Sequence, residues 1–279
     1  MENLSSAPRT TVDLSGVSET ALLTLQMRAQ EARRPDGIIE DPMAVQLLDS
    51  IDFDFAKFGS SRRQDVALRA LRFDTSTIAY LRDHPKATVV ALAEGLQTSF
   101  HRLDAAGVGH DFRWLTVDLP PMIEVRRKLL PTSDRITVCA RSALDFSWMD
   151  EVNPADGVFV TAEGLLMYLQ PEEAMGLIRA CAQRFAGGQM LFDLPPAWLA
   201  AWARKGVRTS KGYRMPPMPF SMSPSRAADL VNSVPGVRAV HNLPTPEGRG
   251  RILNGLLRTA QRVSLLNSAL PVTTLLDFG

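Results

Sequence analysis

The sequence predicts an α/β fold in which a mostly parallel sheet lies between layers of helices. From residue 87 onward, short apolar segments of strand length alternate with helical segments. This alternation is typical of a parallel sheet that is buried on both faces. Before residue 85, the apolar residues recur at helical spacing instead. The chain therefore divides into a helical N-terminal part and an α/β part.

The helical part, residues 1–84, opens with a polar arm at 1–15. Three helices are predicted after this arm, at 18–34, 41–48 and 64–82. Ser18 is a suitable N-cap for the first helix, and Pro35 follows its end. Pro42 suits the first turn of the second helix. These signals predict a compact helical unit ahead of the first strand.

The α/β part is predicted to span residues 85–265. Its parallel strands are predicted at 87–93, 112–117, 135–140, 156–161 and 188–193, with helices at 97–106, 120–130 and 171–186. The proline-rich segment at 205–224 is predicted as a lid-like surface loop. Two further strands, at 237–243 and 251–257, would form an antiparallel pair at the sheet edge. Residues 266–279 are treated as a C-terminal tail.

The composition excludes several classes of function. The chain has 279 residues, is 45% hydrophobic and carries a net charge of +1, so no strong field draws it to nucleic acid or membranes. No long apolar run predicts a membrane span or a secretory leader. The two cysteines lie in apolar contexts that suit a reducing compartment, so we expect a cytoplasmic protein. The sequence also lacks the motifs of ATP-binding phosphate loops, zinc proteases and serine hydrolases, and we expect no metal.

Residues 89–118 carry the strongest functional pattern. A short apolar strand breaks into the turn Ala93-Glu94-Gly95, and a helical segment leads to a second strand that ends in Asp118. Nucleoside-binding α/β domains use this layout, in which the turn approaches the ligand and a carboxylate about 20 residues later accepts from ribose hydroxyls. Asp118 is also a suitable N-cap for the helix that starts at Pro120, and the two roles are compatible.

Two more acids follow predicted strands and so fall at the same edge of the sheet. Asp145 is suited to accept from an adenine amino group while Phe146 covers the ring; the alternative is a solvated turn acid. Glu163 is suited to hold a cation or a substrate; the alternative is a turn or capping acid. Tyr168, close behind it, is more often a partly buried aromatic residue than a catalytic phenol.

Three blocks of the sequence together resemble the leucine carboxyl methyltransferase family. They are ALAEGLQT at 91–98, DLPP at 118–121 and AEGLLMYL at 162–169. The resemblance covers most of the chain, and the most similar members are bacterial, many of them polyketide-type O-methyltransferases. It implies a class I S-adenosylmethionine (SAM) methyltransferase. The implied fold is Rossmann-like, with a seven-stranded, mostly parallel sheet, an antiparallel last strand and an N-terminal helical cap.

The resemblance also implies a site for SAM. The implied cofactor-binding residues are Arg72, Ala93, Glu94, Gly95, Asp118, Leu119, Leu144, Asp145, Phe146 and Glu163. In this interpretation Arg72 pairs with the carboxylate of SAM, Asp118 takes its ribose hydroxyls, and residues 145–146 border its adenine. Gly95 and its neighbours approach the methionine part. The catalytic residue stays unknown, with Glu163 and Tyr168 as candidates.

The sequence departs from the family pattern in the loop itself. Members usually carry LGxGLDTR, whereas this chain has Ala93, Gln97 and Ser99 at the leading glycine, the aspartate and the arginine. If the first position needs a positive φ, alanine costs about 1–2 kcal/mol there. A cost of that size would weaken SAM binding by about tenfold. The loop is therefore either an altered version with Glu94 as a new contact or the mark of a non-catalytic relative that binds SAM or its product.

The predicted function is methyl transfer from SAM to a carboxylate or phenolic hydroxyl of a small apolar molecule. No histidine lies in the family blocks, which favours an acceptor that is acidic enough to need no base. The acceptor would enter between the helical cap and the 205–224 loop, whose apolar residues suit a small molecule. The alternatives are a small-molecule binding protein on the same fold and an NAD-dependent dehydrogenase, which needs a richer glycine motif. The sequence is compatible with a homodimer.

Overall fold

A seven-stranded sheet forms the centre of the computed structural model, which describes residues 9–59, 64–206, 208–210, 212–250, 254–255 and 270–279. The strands are β1 (Thr88–Leu92), β2 (Arg113–Asp118), β3 (Ile136–Ala140), β4 (Val158–Ala162), β5 (Gln189–Leu194), β6 (Val237–Leu243) and β7 (Val272–Phe278). Their order across the sheet is β3-β2-β1-β4-β5-β7-β6. β7 runs antiparallel to both of its neighbours, whereas β1 to β5 pair in parallel. The predicted fold class is confirmed.

The helices are α1 (Thr20–Ala32), α2 (Pro42–Ser50), α3 (Asp65–Asp83), α4 (Ser99–Ala105), α5 (Pro120–Leu129), α6 (Pro171–Arg184), α7 (Ala197–Arg204), α8 (Pro224–Ala228) and α9 (Leu230–Ser233). The first six of them lie close to the positions predicted above. Asp41 caps α2, because its carboxylate accepts from the backbone N–H of Ala44 at 3.0 Å. A capping box of Gln170 and Glu173, together with Pro171, starts α6. Within the described part of the chain, none of the helices is long and apolar enough to cross a bilayer.

The last strand corrects the predicted C-terminal boundary. Residues 266–279 were expected to form a tail, yet 272–278 form β7, which lies between β5 and β6. Alternate residues of β7 are buried, namely Val272, Thr274, Leu276 and Phe278. The α/β part therefore extends to residue 278 and not only to 265. The strand predicted at 251–257 lies mostly outside the described residues, and Asn254 and Gly255 within it are helical.

Both faces of the sheet are buried, as a parallel sheet requires. Val90 and Leu92 of β1 belong to an apolar cluster that includes Leu177 of α6. Val89, the intervening residue, belongs to a second cluster on the other face, with Phe73 of α3. Each fully buried side chain of this size contributes roughly 1.5–3 kcal/mol. The alternation along β1 thus fixes the helical layers on the two faces of the sheet. The parallel pairing of β1 to β5 places their carboxyl ends at one edge.

A third apolar cluster joins the helical cap to that edge. It includes Leu22 and Leu25 of α1, Leu47 of α2, Leu96 after β1 and Met122 of α5. The cap therefore packs on the loop that follows β1, where the sequence predicts the cofactor site.

Candidate active site

The carboxyl ends of β1, β2, β4 and β5 open into a cavity of about 660 Å³. The turn after β1 and Asp118 at the end of β2 line one part of it. Helices α1 and α3 of the cap line another part, and the segments near residues 213–218 and 245–246 complete it. The volume is within the range of sites for small molecules and cofactors.

Ala93 takes the backbone conformation that the family pattern reserves for glycine. Its φ is +48°, and it is the non-glycine residue with positive φ among the residues described. Its N–H donates to the carbonyl of Val117 at 2.7 Å, which ties the turn to β2. The predicted strain at this position is therefore present, at a cost of about 1–2 kcal/mol.

Position 95 requires glycine because helix α1 of the cap approaches the backbone of the loop closely there. Its φ is +57°, and a Cβ built there would lie 2.9 Å from the Cβ of Ala21 in α1. Its N–H donates to the Asp118 carboxylate at 2.9 Å, and the N–H of Leu119 donates to the other oxygen at 2.8 Å. Burial raises the pKa of Asp118, although these two bonds oppose the shift. Leu119, rather than Asp118, is the N-cap residue of α5, so the alternative role for Asp118 is wrong.

Glu94 turns into the protein and supports the loop. Its carboxylate pairs with the Arg126 guanidinium at 2.7 Å and accepts from the hydroxyl of Thr116 at 2.5 Å. Arg126 also donates to the carbonyls of Gly95 and Gln97, at 2.7 and 3.1 Å. Burial raises the pKa of Glu94 against these partners. The new contact that the sequence suggests for Glu94 is therefore with Arg126.

Glu163 and Asp193 hold Arg69 at the centre of the cavity wall. Glu163 accepts from Arg69 Nε at 2.9 Å and from the amide of Gln97 at 2.6 Å. Asp193 lies 3.4 Å from Arg69 Nη1 and accepts from the N–H of Gly164 at 2.6 Å. Burial raises the pKa of Asp193, although Arg69 opposes the shift. Sequence reasoning missed Arg69 and Asp193 as site residues, although Asp193 ends a predicted strand at the correct edge.

Arg72 is the cavity cation that has no acidic partner in the described part of the chain. Its Nη2 donates to the carbonyl of Pro244 at 2.6 Å, and its buried Nε has no hydrogen-bond partner among the described residues. Burial lowers the pKa of Arg72. An anionic group of a ligand would satisfy this guanidinium, since an unpaired buried donor is costly.

The structure places the residues predicted around the adenine in two different environments. Leu144 lines the cavity. Asp145 and Phe146 are exposed and lie outside its lining, with Phe146 40% exposed. The Asp145 carboxylate instead accepts from the N–H and the hydroxyl of Ser147, at 3.2 and 2.6 Å, and caps the following turn. The adenine contact of Asp145 and Phe146 stays a prediction.

Apolar side chains form much of the remaining lining of the cavity, and part of it comes from the 205–224 segment, whose role as a lid stays a prediction. That segment contributes Tyr213, Met215 and Met218 to the lining. The Tyr213 ring packs edge-on against Phe58 of the cap, with ring centroids 4.9 Å apart. Tyr168 also lines the cavity; its hydroxyl bonds with the Thr20 side chain, and burial raises its pKa. Among the described residues, no cluster of histidine, cysteine and acidic side chains could hold a metal ion.

Comparison with known proteins gives this site its context. The sequence profile of the leucine carboxyl methyltransferase family matches residues 21–182. The chain is 32% identical over 230 residues to the tetracenomycin polyketide synthesis O-methyltransferase TcmP of Streptomyces glaucescens, an alignment that covers 82% of this chain and 83% of that protein. This chain belongs to the leucine carboxyl methyltransferase family.

Further comparisons agree with family membership. The SAM-dependent methyltransferase dpfgK of Gibberella zeae is 29% identical over 204 residues, with coverage of 66% of this chain and 68% of its own length. The crystal structure of a methyltransferase-like protein from Thermobifida fusca superposes with a TM-score of 0.56 at 16% identity, over 96% of this chain and 95% of that one, and shows the shared fold. The chain is thus a SAM-dependent O-methyltransferase, and the predicted family, activity and cofactor are confirmed.

Two side chains of the cavity lining carry groups that suit SAM. Asp118 offers a buried carboxylate at the end of β2, and Arg72 offers an unpartnered buried Nε. These features suit an adenosine ribose and a carboxylate respectively.

Proposed function

We propose that this enzyme methylates a carboxylate or a phenolic hydroxyl of a small apolar molecule. The observation that carries the proposal is that one cavity holds both the predicted cofactor residues and apolar side chains. Gly95 and Asp118 line it, and so do Met27 of the cap and Met215 and Met218 of the 205–224 segment. An apolar acceptor bound in this cavity would therefore share it with the cofactor.

The predicted cofactor residues would hold SAM as the family likeness implies. Arg72 would pair with its carboxylate, Asp118 would accept from the ribose hydroxyls, and Leu119 and Leu144 would flank the adenine. SAM supplies a methyl group that is already activated on a sulfonium. Glu163 and Asp193 in the same wall share the single positive charge of Arg69, so these three side chains together carry a net negative charge when both carboxyls are ionised.

The protein contributes position and the exclusion of water. Holding two reacting groups in line supplies up to roughly 7–11 kcal/mol of the barrier. The cap and the segment from 213 to 218 line the cavity, and a bound acceptor and cofactor would displace water from their apolar side chains. Tyr168 stays protonated at neutral pH because burial raises its pKa, so it is a hydrogen-bond donor and not a base. Glu163 is already engaged by Arg69 and Gln97, so its role is to fix the cavity wall.

Phenols and carboxylic acids of aromatic polyketide type are the acceptors to test first, since TcmP is named as a polyketide synthesis O-methyltransferase. The purified enzyme would be incubated with SAM and a panel of hydroxylated aromatic acids, with product mass as the readout. Formation of a methyl ester or a methyl ether would identify the acceptor group. Absence of product across acids and phenols alike would count against the proposal.

Turnover is the second property to test, because Ala93 strains the loop that approaches the cofactor. Binding of S-adenosylhomocysteine (SAH) without turnover on any acceptor would instead indicate a non-catalytic member of the family. Several expectations about partners and location stay predictions. They are a small-molecule partner, the absence of nucleic-acid and membrane partners, a homodimer and a cytoplasmic location. Size-exclusion chromatography with light scattering tests the homodimer.

A further inference from the structure

A buried ionic network connects the helical cap to the loop at residues 93–98. We call it the cap network; its members are Arg28, Asp41, Asp74, Thr98 and Arg102. Arg28 and Asp41 have fully buried side chains, and neither lines the cavity. Two of the cap's own elements, α1 and the start of α2, supply these residues. The network therefore lies between the cap and the α/β part, outside the cofactor site itself.

The bonds of the cap network end on the loop. Arg28 Nη2 donates to the carbonyl of Leu96 at 2.7 Å. The Thr98 hydroxyl donates to the Asp41 carboxylate at 2.7 Å. Leu96 and Thr98 belong to the same loop as Gly95, whose N–H bonds with Asp118. Two cap side chains thus fix the loop just after its cofactor-facing glycine.

The remaining members make the arrangement rigid. Arg102 of α4 donates to both oxygens of Asp74, at 2.7 and 2.9 Å, in the bidentate geometry that fixes a guanidinium in place. The same arginine donates to Asp41 at 2.8 Å. Burial would raise the pKa of Asp41, but Arg102, Arg28 and Thr98 hold it below its usual value. Asp41 therefore stays ionised and keeps all its acceptor bonds.

Stability alone is a poor explanation for this network. Buried ion pairs lose hydration energy that their attraction barely offsets, and apolar replacements are often neutral or stabilising. Burial lowers the pKa of Arg28 to about 10 despite the neighbouring Asp41 carboxylate, and its Nη1 has no partner among the described residues. These groups fix the geometry of the loop through directional hydrogen bonds, which leucine side chains in the same places could not make.

We propose that Arg28 and Asp41 are positioning residues for the cofactor, which hold the loop at residues 93–98 in the conformation that binds SAM. The inference rests on SAM being the ligand of this loop. It also means that cofactor binding and docking of the cap stabilise each other, because the coupling of two equilibria is reciprocal.

Thr98 offers the mildest test, since Thr98→Val removes one hydroxyl with little change in volume. We expect the Kd for SAH, measured by calorimetry well below the melting temperature, to rise by about tenfold. Thr98→Ser keeps the hydroxyl and should restore the wild-type Kd to within about twofold. At saturating SAM, the KM for the acceptor should not change, which separates cofactor positioning from general damage.

Arg28→Met and Asp41→Asn test the cap side of the same contacts. The matched controls are Arg33→Met and Asp49→Asn, which remove an exposed ion pair of the same cap, with side chains 45% and 61% exposed. We expect weaker SAH binding only in the buried pair. Folded variants that melt earlier but bind SAH with the wild-type Kd would show a purely structural network and overturn the inference. Failure of the wild-type protein to bind SAH would overturn the proposed cofactor site instead.

Discussion

Ala93 holds a left-handed backbone conformation at the turn that faces the cofactor. The strain is local, because Val117 fixes the Ala93 N–H and Asp118 fixes the Gly95 N–H on either side of it. A glycine at this position, as in the usual family pattern, would avoid the cost. Ala93 therefore lowers the stability of the protein relative to glycine, and nothing in the structure explains the presence of its methyl group.

Ala93→Gly should relieve that strain. Glycine removes a penalty of about 1–2 kcal/mol but adds roughly 0.5–1 kcal/mol of unfolded-state entropy, so we expect a net gain of between zero and about 1.5 kcal/mol. Urea denaturation measures this change, and calorimetry with SAH would show equal or tighter binding. Ala106→Gly is the control, since Ala106 has φ −76° and should lose stability on the same change. A loss of stability in Ala93→Gly would contradict the assignment of strain.

Asp118 should make cofactor binding sensitive to acid. Its carboxylate must be ionised to accept from ribose hydroxyls, and burial raises its pKa above the usual value of about 3.9. We expect SAH affinity to fall on acidification at a higher pH than an ordinary aspartate would cause. The free energy of unfolding changes with pH in the opposite direction to SAH affinity. Because the pKa of Asp118 is raised in the folded state, its protonation stabilises the folded protein at low pH, and this contribution is lost as the pH rises through the folded-state pKa. Calorimetry of Asp118→Asn, which should bind weakly at every pH, checks the assignment.

At the scale of elements, helix α1 and the loop after β1 form one unit. Gly95→Ala would place a Cβ 2.9 Å from Ala21 and impose a left-handed conformation on alanine. We expect the variant to lose SAH binding and to melt earlier than wild type. Gly107→Ala is the matched control, because Gly107 has φ +67° and open space around it, so only the backbone cost applies. Equal effects of the two substitutions would show that α1 does not press on the loop.

The elements also show where sequence reasoning succeeds. Strands β1 to β5 were predictable because each is a short apolar run between turn signals. β7 was missed because Thr273, Thr274 and Asp277 interrupt its apolar character, although its buried residues alternate. The partners of Glu94 could not be predicted, because they come from β2 and α5, which only the folded chain brings together; its contact with the cofactor stays a prediction.

At the scale of the whole molecule, β7 closes the sheet between β5 and β6. Leu276 in this strand is fully buried. We expect Leu276→Ala to destabilise the enzyme by about 2–5 kcal/mol, through lost apolar burial and the cavity it leaves. Thermal and urea denaturation measure the change. Val231→Ala is the comparison, since Val231 is 40% exposed and should change stability little. A small effect of Leu276→Ala would exclude the C-terminal residues from the core.

We expect one edge of this sheet to bind SAM through the loop at residues 93–98 and Asp118. Titration calorimetry with SAH, on the wild-type protein and on Asp118→Ala, is the test of this binding site. We predict saturable binding to the wild-type enzyme and loss of at least about tenfold in affinity for the variant. Absence of binding to the wild-type protein at millimolar SAH, or equal affinity of the two proteins, would contradict the account.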